Sequence, residues 1–471
     1  MTFALLAMVS CKKDFIDLNP ISSVSVNSMY KTDADFYNAF PPIYNDLQVI
    51  YNTFFRFGDT RADDSEQEIA SDLESWNVDL FVTSSTSAWI NSQWQTYYQA
   101  INRTNMILEL IADKDVENKD QYIAEAKFLR AFLYFDLVRI WGGVPMVTKP
   151  LTIEESYKTP RESVANIYSQ IIIPDLMAAE NILPSIQPGK DLGKPTKGAA
   201  AALLGRVYMT IGDFKNAELK LQEVTTMGYA LLPNYNDLWD YTKDKHSREY
   251  IFDIEYAGGM GEGNSFTNLM MPNYAPMFAF YHMISTEGGE ANSPTQALRD
   301  LFDNNDSRKL VTVGVLHGFY DANSVFNTIS SNTSQSYTMK YMCPFDSPDD
   351  AEANWKVIRY GDVILMYAEA LNENGKTEQA IPYLNQIRIR AGLQGYPAGM
   401  TQSETRNAIS LERRLELSFE GVRWFDLVRT GQAYNVMKNN GMQEFMTVWP
   451  LPLTQVQLIN NSTVFPQNPG Y

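Results

Sequence analysis

The sequence predicts a mostly α-helical protein, in which antiparallel helix pairs form a tetratricopeptide-like array interrupted by one long irregular, ligand-binding insertion. Three observations lead to this prediction: an internal repeat at helical spacing, further helical stripes before it, and a long stretch rich in Gly, Pro, Asn and Ser without helical period. With 471 residues and 45% hydrophobic content, the chain is long enough to bury the core of such an array.

The internal repeat consists of two segments whose key residues fall at identical offsets, 163 positions apart. The first copy contains Ala201, Leu204, Gly205, Tyr208, Gly212, Ala217 and Leu221, and the second contains Ile364, Tyr367, Ala368, Leu371, Gly375, Ala380 and Leu384. This spacing is typical of a tetratricopeptide unit, with Gly212 and Gly375 at the turns between two helices. We expect Glu125–Trp141 to supply a third unit and Ser92–Leu110 to belong to a fourth, since about three units are needed for a continuous core.

Hydrophobic spacing and the positions of prolines predict the structure of the other segments. Helical stripes span 33–52, with a bend at Pro41-Pro42, and 161–183, with a kink near Pro174, whereas 58–88 is polar and irregular. Strand-like runs occur at Tyr250–Tyr256 and Lys309–Leu316. We divide the chain into an export-signal remnant (1–10), a tether (11–30), an N-terminal helical part (31–228), the irregular ligand-binding insertion (229–357) and a C-terminal helical part completing the same fold (358–471).

The stretch from Leu411 to Gly431 predicts one amphipathic helix with charges along its length. Apolar residues recur every three or four positions at Leu411, Leu415, Phe419, Val422 and Phe425. The charged residues follow the same spacing at Glu412, Glu416, Glu420, Arg423, Asp426 and Arg429. Because an unpaired buried charge is costly, we interpret this row as a structural ion-pair network, and we expect the helix to end at Gly431.

The composition makes one class of partner improbable. Lys and Arg number 38 against 56 Asp and Glu, for a net charge of −18. An acidic chain repels phosphate backbones, and no basic patch interrupts this one, so we expect no nucleic-acid binding.

The N-terminus resembles the end of a lipoprotein export signal. The apolar residues 1–10 are too short to span a bilayer and end in a small residue directly before Cys11. The sequence around Cys11 departs from the usual lipobox, and the alternative is a soluble protein with an apolar start. No later run is long enough for a transmembrane helix, so membrane attachment is expected through lipid at Cys11. The other cysteine, Cys343, would then have no disulfide partner.

Catalytic and cofactor motifs are weak or absent in the sequence. Residues 370–377 approximate a phosphate loop but follow a helical stripe instead of a strand, and the glycines of 258–263 have the wrong spacing for a dinucleotide turn. There is no H-E-x-x-H, C-x-x-C or G-x-S-x-G motif. Asp303 and Asp306 could offer oxygen atoms to a structural calcium ion, but the Gly and Glu of an EF-hand are missing, which favours a solvated turn. We therefore expect no cofactor and no metal site with a catalytic role.

Aromatic side chains in irregular segments are the candidate ligand-binding groups, because flat rings offer apolar contact to the C–H faces of sugars. The candidate residues are Arg61, Trp76, Asn77, Trp89, Phe266, Tyr274, Phe280 and Tyr281, with Asp72, Asn264 and Asn273 as further hydrogen-bonding groups. The alternative is that any single aromatic here only packs its loop onto the array. Trp94 and Trp239 are expected in the core.

Four segments, in order along the chain, resemble the SusD/RagB family of outer-membrane nutrient-binding lipoproteins of Bacteroidetes. They are CKKDFIDLNP from Cys11, EAKFLRAFLYFDLVRIWGGVPMV from Glu125, LERRLELSFEGVRWFDLVRTG from Leu411, and WPLPLTQVQLINNSTVFPQNPGY from Trp449. The resemblance implies a cell-surface lipoprotein, acylated at Cys11, that binds oligosaccharide or polysaccharide and delivers it to a SusC-like TonB-dependent outer-membrane transporter without catalysis. The family has no fixed ligand-binding motif, so only Cys11 is carried over from it.

Two other functions remain open at this point. A secreted glycoside hydrolase would need two facing carboxylates, and many acids are present without a recognisable pair. A peptide-binding adaptor would use the concave groove of the tetratricopeptide array. Turnover of a glycan would favour the first alternative, and co-purification of a peptide partner without glycan affinity would favour the second.

Overall fold

The computed structural model describes residues 30–67, 72–285, 287–315, 318–320, 326–328 and 336–471. The predicted signal remnant, nearly all of the tether, and Cys11 lie outside the described residues, so the expectations for them stay predictions.

Helices dominate the described part of the chain. Its first half contains α1 Asp33–Tyr37, α2 Pro41–Tyr51, α3 Phe55–Gly58, α4 Leu73–Asp79, α5 Ala88–Leu110, α6 Lys119–Trp141, α7 Ile153–Ser156, α8 Val164–Ile167, α9 Ile173–Ile182, α10 Lys197–Thr210 and α11 Phe214–Thr225. Its second half contains α12 Phe266–Leu269, α13 Ala275–Phe280, α14 Gln296–Leu301, α15 Lys309–Thr312, α16 Tyr360–Glu373, α17 Thr377–Arg390, α18 Gln402–Glu416, α19 Arg423–Arg429, α20 Ala433–Met437 and α21 Leu453–Ile459. A π-helix at Tyr168–Ile172 joins α8 to α9, and short 3₁₀ turns lie at Gly189–Asp191, Tyr235–Leu238, Lys438–Asn440 and Glu444–Thr447.

The strands are short and form antiparallel pairs. They are β1 Ser65–Glu66, β2 Tyr250–Ile254, β3 Ser293–Pro294, β4 Gly314–Val315, β5 Gly318–Tyr320, β6 Phe326–Thr328, β7 Ser336–Tyr337 and β8 Trp355–Arg359. β1 pairs with β3, β2 with β8, β4 with β7, and β5 with β6. In the longest pair, Tyr250 lies opposite Arg359 and Ile254 opposite Trp355.

The two copies of the repeat are antiparallel helix pairs, as predicted. α10 packs against α11, and α16 packs against α17. Gly212 and Gly375 lie in the turns, both at a φ of 75°, a left-handed conformation that glycine adopts without strain. The copies also stack directly: α11 contacts α16, and Asn374 Nδ2 donates to the Phe214 carbonyl over 2.9 Å. The insertion therefore leaves the array between two neighbouring helix pairs.

The predicted third unit is centred on α6, most of whose side chains are buried. α6 packs against α5 on one side and α9 on the other. Arg130 of α6 is held by Asp175 of α9 over 2.8 Å, and Asp136 accepts the Tyr51 hydroxyl over 2.9 Å. The expected kink before Pro174 is present as the π-helix, and the expected break at Pro41-Pro42 separates α1 from α2. Trp94 and Trp239 are buried, as expected.

The single helix predicted for 411–431 is wrong in one respect. α18 ends at Glu416, α19 begins at Arg423, and the intervening turn has positive φ at Phe419 (64°) and Gly421 (73°). The cause is a distant contact. The backbone of Gly58 lies against that of Gly421, and the Asp59 carboxylate accepts the Gly421 N–H over 2.9 Å. Gly431, at a φ of 69°, follows the end of α19 as expected.

The acidic and basic residues of this region form the predicted ion-pair network. Glu412 accepts from Arg308 over 2.9 Å, and Glu420 accepts from Lys340 over 2.8 Å, with all four side chains almost wholly buried. Further along, Arg423 pairs with Asp63, and Arg429 pairs with Glu369. The charges of the C-terminal part therefore attach it to the N-terminal part and to the insertion.

The insertion contains more regular structure than its sequence predicts. The strand expected at Lys309–Leu316 is mostly wrong, since 309–312 form α15 and only Gly314–Val315 form a strand. β2 lies within the predicted strand at Tyr250–Tyr256. Part of the insertion also enters the core, where Tyr341 stacks on Trp355 with ring centroids 5.3 Å apart. In the described part of the chain, no helix combines the length and apolar character needed to cross a membrane.

Candidate functional site

Two predicted ligand-binding residues belong to the core instead. The Arg61 side chain is 1% exposed, its guanidinium carbon lies 4.2 Å from the centre of the Trp449 ring, and Nη2 donates to the Met446 carbonyl over 2.8 Å. Phe266 is fully buried among Tyr341, Trp355 and Tyr256. The prediction that these two side chains contact ligand is therefore wrong, because tertiary packing covers segments that look like loops in the sequence.

Several other predicted side chains are committed to structural contacts. Trp89 donates its indole N–H to Thr53 over 2.9 Å and packs its ring on Phe57 at 4.6 Å. Asp72 binds Arg56 over 2.7 Å, and the buried Asn264 donates to the carbonyls of Ala351 and Ala353. These contacts hold the 50–90 region and the insertion together, and they leave fewer polar groups for a ligand.

Trp76 and Asn77 lie half-buried on α4, within a region that the sequence predicts as irregular. The helix forms because Asp72 caps its N-terminus, accepting the Ser75 N–H over 3.2 Å. Among the described residues Trp76 has no aromatic partner, and its neighbours Leu73 and Leu80 are 63% and 43% exposed. The spacing of Leu73, Trp76 and Leu80, three and then four positions, is the sequence signal for this exposed apolar face.

Tyr274, Phe280 and Tyr281 lie half-buried at the two ends of α13. Pro276 is at the start of this helix, where its missing N–H costs no hydrogen bond. The Phe280 and Tyr281 rings meet edge to face at 4.9 Å, and the Tyr281 hydroxyl lies 3.2 Å from the Tyr337 hydroxyl. Burial raises the pKa of Tyr281 well above its usual value, so the phenol stays neutral. Tyr337 was not predicted, and its sequence context gives no signal for this role.

A chain of hydrogen bonds connects α4 to the segment before α13. The Gln67 N–H donates to Asp79 over 3.1 Å, and Gln67 Nε2 donates to the Gly289 carbonyl over 3.1 Å. The next residue, Glu290, accepts the N–H of Asn273 over 3.0 Å. Asp79 lies one turn after Trp76 on the same helix face, so the structure places Trp76 and Tyr274 on connected segments. We call Trp76, Tyr274, Phe280 and Tyr281 together the aromatic surface.

The polar groups near the aromatic surface include two carboxylic acids, Glu66 and Asp79. Burial raises the pKa of Asp79 to about 6, and the neighbouring Glu66 carboxylate contributes to this shift. Burial also raises the pKa of Glu66, against the opposing effect of Arg299. Such groups can accept hydrogen bonds from hydroxyl groups at neutral pH.

Two cavities lie elsewhere, around the loop 189–194. One has a volume of about 580 Å³ and is bounded by α1, the start of α6 and this loop. A second, of about 470 Å³, lies between α2, the same loop and the end of β2. Lys190 and Lys194 border both, with their ammonium groups 3.9 and 4.3 Å from the centre of the Tyr37 ring. Neither cavity is lined by a residue of the aromatic surface.

The segment considered for calcium has its main carboxylate occupied. Both oxygens of Asp306 accept from Arg308, over 2.9 and 2.7 Å, and Asp303 accepts the Asn305 N–H within its own turn. Across the ranges that the structure describes, no group of three or more His, Cys, Asp or Glu side chains is arranged to hold a metal ion.

Two family models match the chain. The model described as "SusD family" matches residues 332–471, and the model described as "Starch-binding associating with outer membrane" matches residues 14–209. Together they cover most of both helical parts, and α11 lies between the two matched ranges.

Individual proteins match over almost the whole chain. A SusD-like protein P2 of Formosa agariphila is 28% identical, covering 99% of this chain and 98% of that protein. A solved structure named "Laminarin binding SusD-like protein" is 28% identical with a TM-score of 0.79, over 94% of this chain and all of that one. Surface glycan-binding protein A of Bacteroides thetaiotaomicron, solved with laminarihexaose, has the same fold at 22% identity, with a TM-score of 0.78 over 93% of this chain and all of that one. From the models at both ends and the shared fold between them, we conclude that this chain belongs to the SusD family.

Proposed function

We propose that this protein binds glycan at the bacterial cell surface and passes it to a SusC-like TonB-dependent transporter of the outer membrane. The observation that carries the proposal is the aromatic surface on α4 and α13, outside the buried core of the array. Half-buried rings of this kind can stack on the C–H faces of sugar residues, while their outer edges stay in water. Relatives support the glycan part, since one solved structure at 28% identity is named as laminarin-binding.

The aromatic surface suits binding without chemistry. Trp76 and Tyr274 lie on separate elements that are connected by hydrogen bonds through Gln67 and Glu290. A fixed arrangement of rings lowers the entropy cost of binding an extended chain. Two carboxylates near the rings already accept backbone N–H groups: Asp79 accepts that of Gln67, and Glu290 accepts that of Asn273. Our proposal is therefore that the protein breaks no glycosidic bond.

The similarity to the SusD family supports the proposed location. One matching family model is described as associating with the outer membrane. We propose that Cys11 carries the lipid that anchors the chain there, with residues 12–30 as the tether. Each acyl chain would contribute on the order of 10 kcal/mol of membrane affinity, at about 0.8 kcal/mol per buried methylene, so stable attachment needs more than one chain.

Glycan binding is tested by titrating the purified protein with a panel of soluble polysaccharides in a calorimeter. Trp76→Ala and Tyr274→Ala should each weaken binding of the glycan found, by about five- to thirtyfold. Tyr157→Ala is the matched control, because Tyr157 is 41% exposed after the short helix α7, away from the aromatic surface. Unchanged affinity in both test variants would contradict the assigned surface, and release of shorter sugars would show a hydrolase instead.

The transporter partnership is tested separately, by co-purification from outer membranes. An epitope-tagged copy should carry a TonB-dependent barrel with it after detergent extraction. If a soluble peptide or protein partner co-purifies instead and no glycan binds, the adaptor function is favoured.

A further inference from the structure

Three segments of the chain that meet at the aromatic surface contain no lysine or arginine. Neither residue occurs in 62–102, in 249–298 or in 310–339. The first range supplies Trp76 and the second supplies Tyr274, Phe280 and Tyr281. The third supplies Tyr337, and its strand β5 contacts α13. All four rings of the aromatic surface therefore lie on segments whose sequence contains no lysine or arginine.

Four basic residues near these segments are buried or have polar partners of their own. Arg61 is buried in the core, and Lys340 is buried with Glu420 at 2.8 Å. Arg56 pairs with Asp72 over 2.7 Å. Arg299 donates to Gln296 and lies close enough to Glu66 to lower its pKa. Three of these four side chains are therefore buried or ion-paired, and the fourth, Arg299, lies near the Glu66 carboxylate.

Carboxylates, by contrast, are present on the same segments. Glu66 and Asp79 interact electrostatically with each other, and Glu290 lies against the N–H of Asn273. Glu287 is exposed in the loop after α13. An anionic ligand would meet negative charge within a Debye length, which is about 10 Å at 0.1 M salt. It would also lose hydration without gaining a cationic partner.

We propose that the aromatic surface selects uncharged glycans and rejects polysaccharides that carry carboxylate or sulfate groups. This inference rests on the proposed glycan-binding function and narrows its substrate class. The neutral hydroxyl groups of such a glycan can donate to the carboxylates, and its C–H faces can stack on the rings. A uronate or sulfate ester could make these contacts only against the repulsion between its own negative charge and the protein carboxylates.

The test starts with two sets of soluble polysaccharides, one neutral and including laminarin, the other anionic and including alginate, pectin and carrageenan. Binding restricted to the neutral set supports the inference. Binding of an anionic polysaccharide with equal or higher affinity overturns it while leaving the glycan-binding function intact. If nothing in either set binds, the proposed function fails, and this inference fails with it.

A second comparison then separates the effect of the ligand's charge on affinity from the effect of its shape. The neutral polysaccharide that binds best is compared with its own carboxymethylated derivative at low and high salt. We expect the derivative to bind about tenfold or more weakly at 20 mM salt, and to recover part of this loss near 1 M salt, where charges are screened within about 3 Å. A salt-independent loss would indicate steric exclusion and would overturn the electrostatic explanation.

A complementary test adds a positive charge to the protein instead of a negative charge to the ligand. Asn273 is exposed directly before Tyr274, so Asn273→Lys places a cation beside the rings. This variant should narrow the affinity ratio between the neutral probe and its carboxymethylated derivative by about threefold or more, and Asn273→Gln is its uncharged control. An unchanged ratio in Asn273→Lys would contradict the proposal.

Discussion

The guanidinium of Arg359 lies 2.5 Å from the carboxylate of Glu416, in a part of the core where both side chains are almost fully buried. Glu416 is also contacted by Arg390 and by Arg308, so three cations share one carboxylate. Burial alone would raise the pKa of Glu416, but the guanidinium groups of Arg390, Arg359 and Arg308 hold it well below its usual value. Arg308 lies in the insertion, Arg390 ends α17 and Glu416 ends α18, so the cluster joins the insertion to the helical array.

Glu416→Ala should therefore destabilise the protein by about 3–5 kcal/mol, because it leaves buried arginines without their common partner. The measurement is urea denaturation followed by circular dichroism. Glu154→Ala is the control, since Glu154 forms an exposed pair with Lys158 and should change stability by less than about 0.5 kcal/mol. A loss below about 1 kcal/mol in Glu416→Ala would show that the network contributes little.

Gly58→Ala should also destabilise strongly, for a steric reason. A Cβ atom on Gly58 would overlap the backbone of Gly421, which cannot move aside as a flexible side chain would. We expect a loss on the order of 3 kcal/mol. Gly212→Ala is the comparison, because the φ of Gly212, 75°, is unfavourable for alanine but nothing lies within 4 Å of the added atom. It should lose about 1–2 kcal/mol in the same denaturation assay. Equal losses would contradict the close contact.

These two glycines mark how far the sequence alone could predict the fold. The repeat pattern predicts Gly212 from neighbouring residues alone, because the turn of a helix pair falls at a fixed offset from its other key residues. The Gly58–Gly421 contact joins segments far apart in the chain, and no local pattern reveals it. For that reason the break between α18 and α19 was not predicted.

The same distinction applies to the candidate site. Trp76 and Tyr281 are aromatics in segments that the sequence predicts as irregular, and both lie partly exposed. Phe266 is an aromatic of the same kind and Arg61 is a predicted hydrogen-bonding neighbour, but both are covered by residues from distant parts of the chain, such as Trp449 and Trp355. Burial of a loop depends on what packs over it, which composition does not encode.

Asp59 should make stability depend on pH. Burial raises the pKa of Asp59 to about 8, although the Gly421 N–H donates to it. An unfolded aspartate has a pKa of about 3.9. The folded form thus holds an extra proton between these values, and the stabilisation that this proton provides is complete below about pH 4 and is lost as the pH rises through about 8.

The test of this effect is Asp59→Asn, which cannot titrate but can still accept the Gly421 N–H. Wild-type protein should lose more stability between pH 5 and pH 8 than the variant, by on the order of 2–4 kcal/mol. Denaturant titrations at both pH values measure this difference. Parallel pH profiles for the two proteins would show that Asp59 is ionised in the folded state.

Cys11→Ser should release the protein from membranes. If Cys11 is acylated, the full-length chain should partition with the outer-membrane fraction in a Bacteroidetes host, and the variant should be found in the soluble fraction. Membrane affinity comes from the acyl chains at about 0.8 kcal/mol per buried methylene, and serine accepts no thioether-linked lipid. Fractionation followed by immunoblotting measures the distribution, and membrane retention of the variant would contradict the assigned anchor.

Tyr281 allows ring stacking to be separated from hydrogen bonding in glycan recognition. Its hydroxyl already lies 3.2 Å from that of Tyr337, whereas its ring is half-exposed beside Phe280. If the ring provides the contact, Tyr281→Phe should keep the Kd within about twofold, and Tyr281→Ala should weaken it five- to thirtyfold, or by about 1–2 kcal/mol. Tyr337→Phe removes the other hydroxyl of the pair and serves as the matched control. Calorimetric titration with the glycan identified by the panel measures all three variants. If Tyr281→Phe loses as much affinity as Tyr281→Ala, then the hydroxyl contacts the sugar directly, and the Tyr281–Tyr337 pair must open when glycan binds.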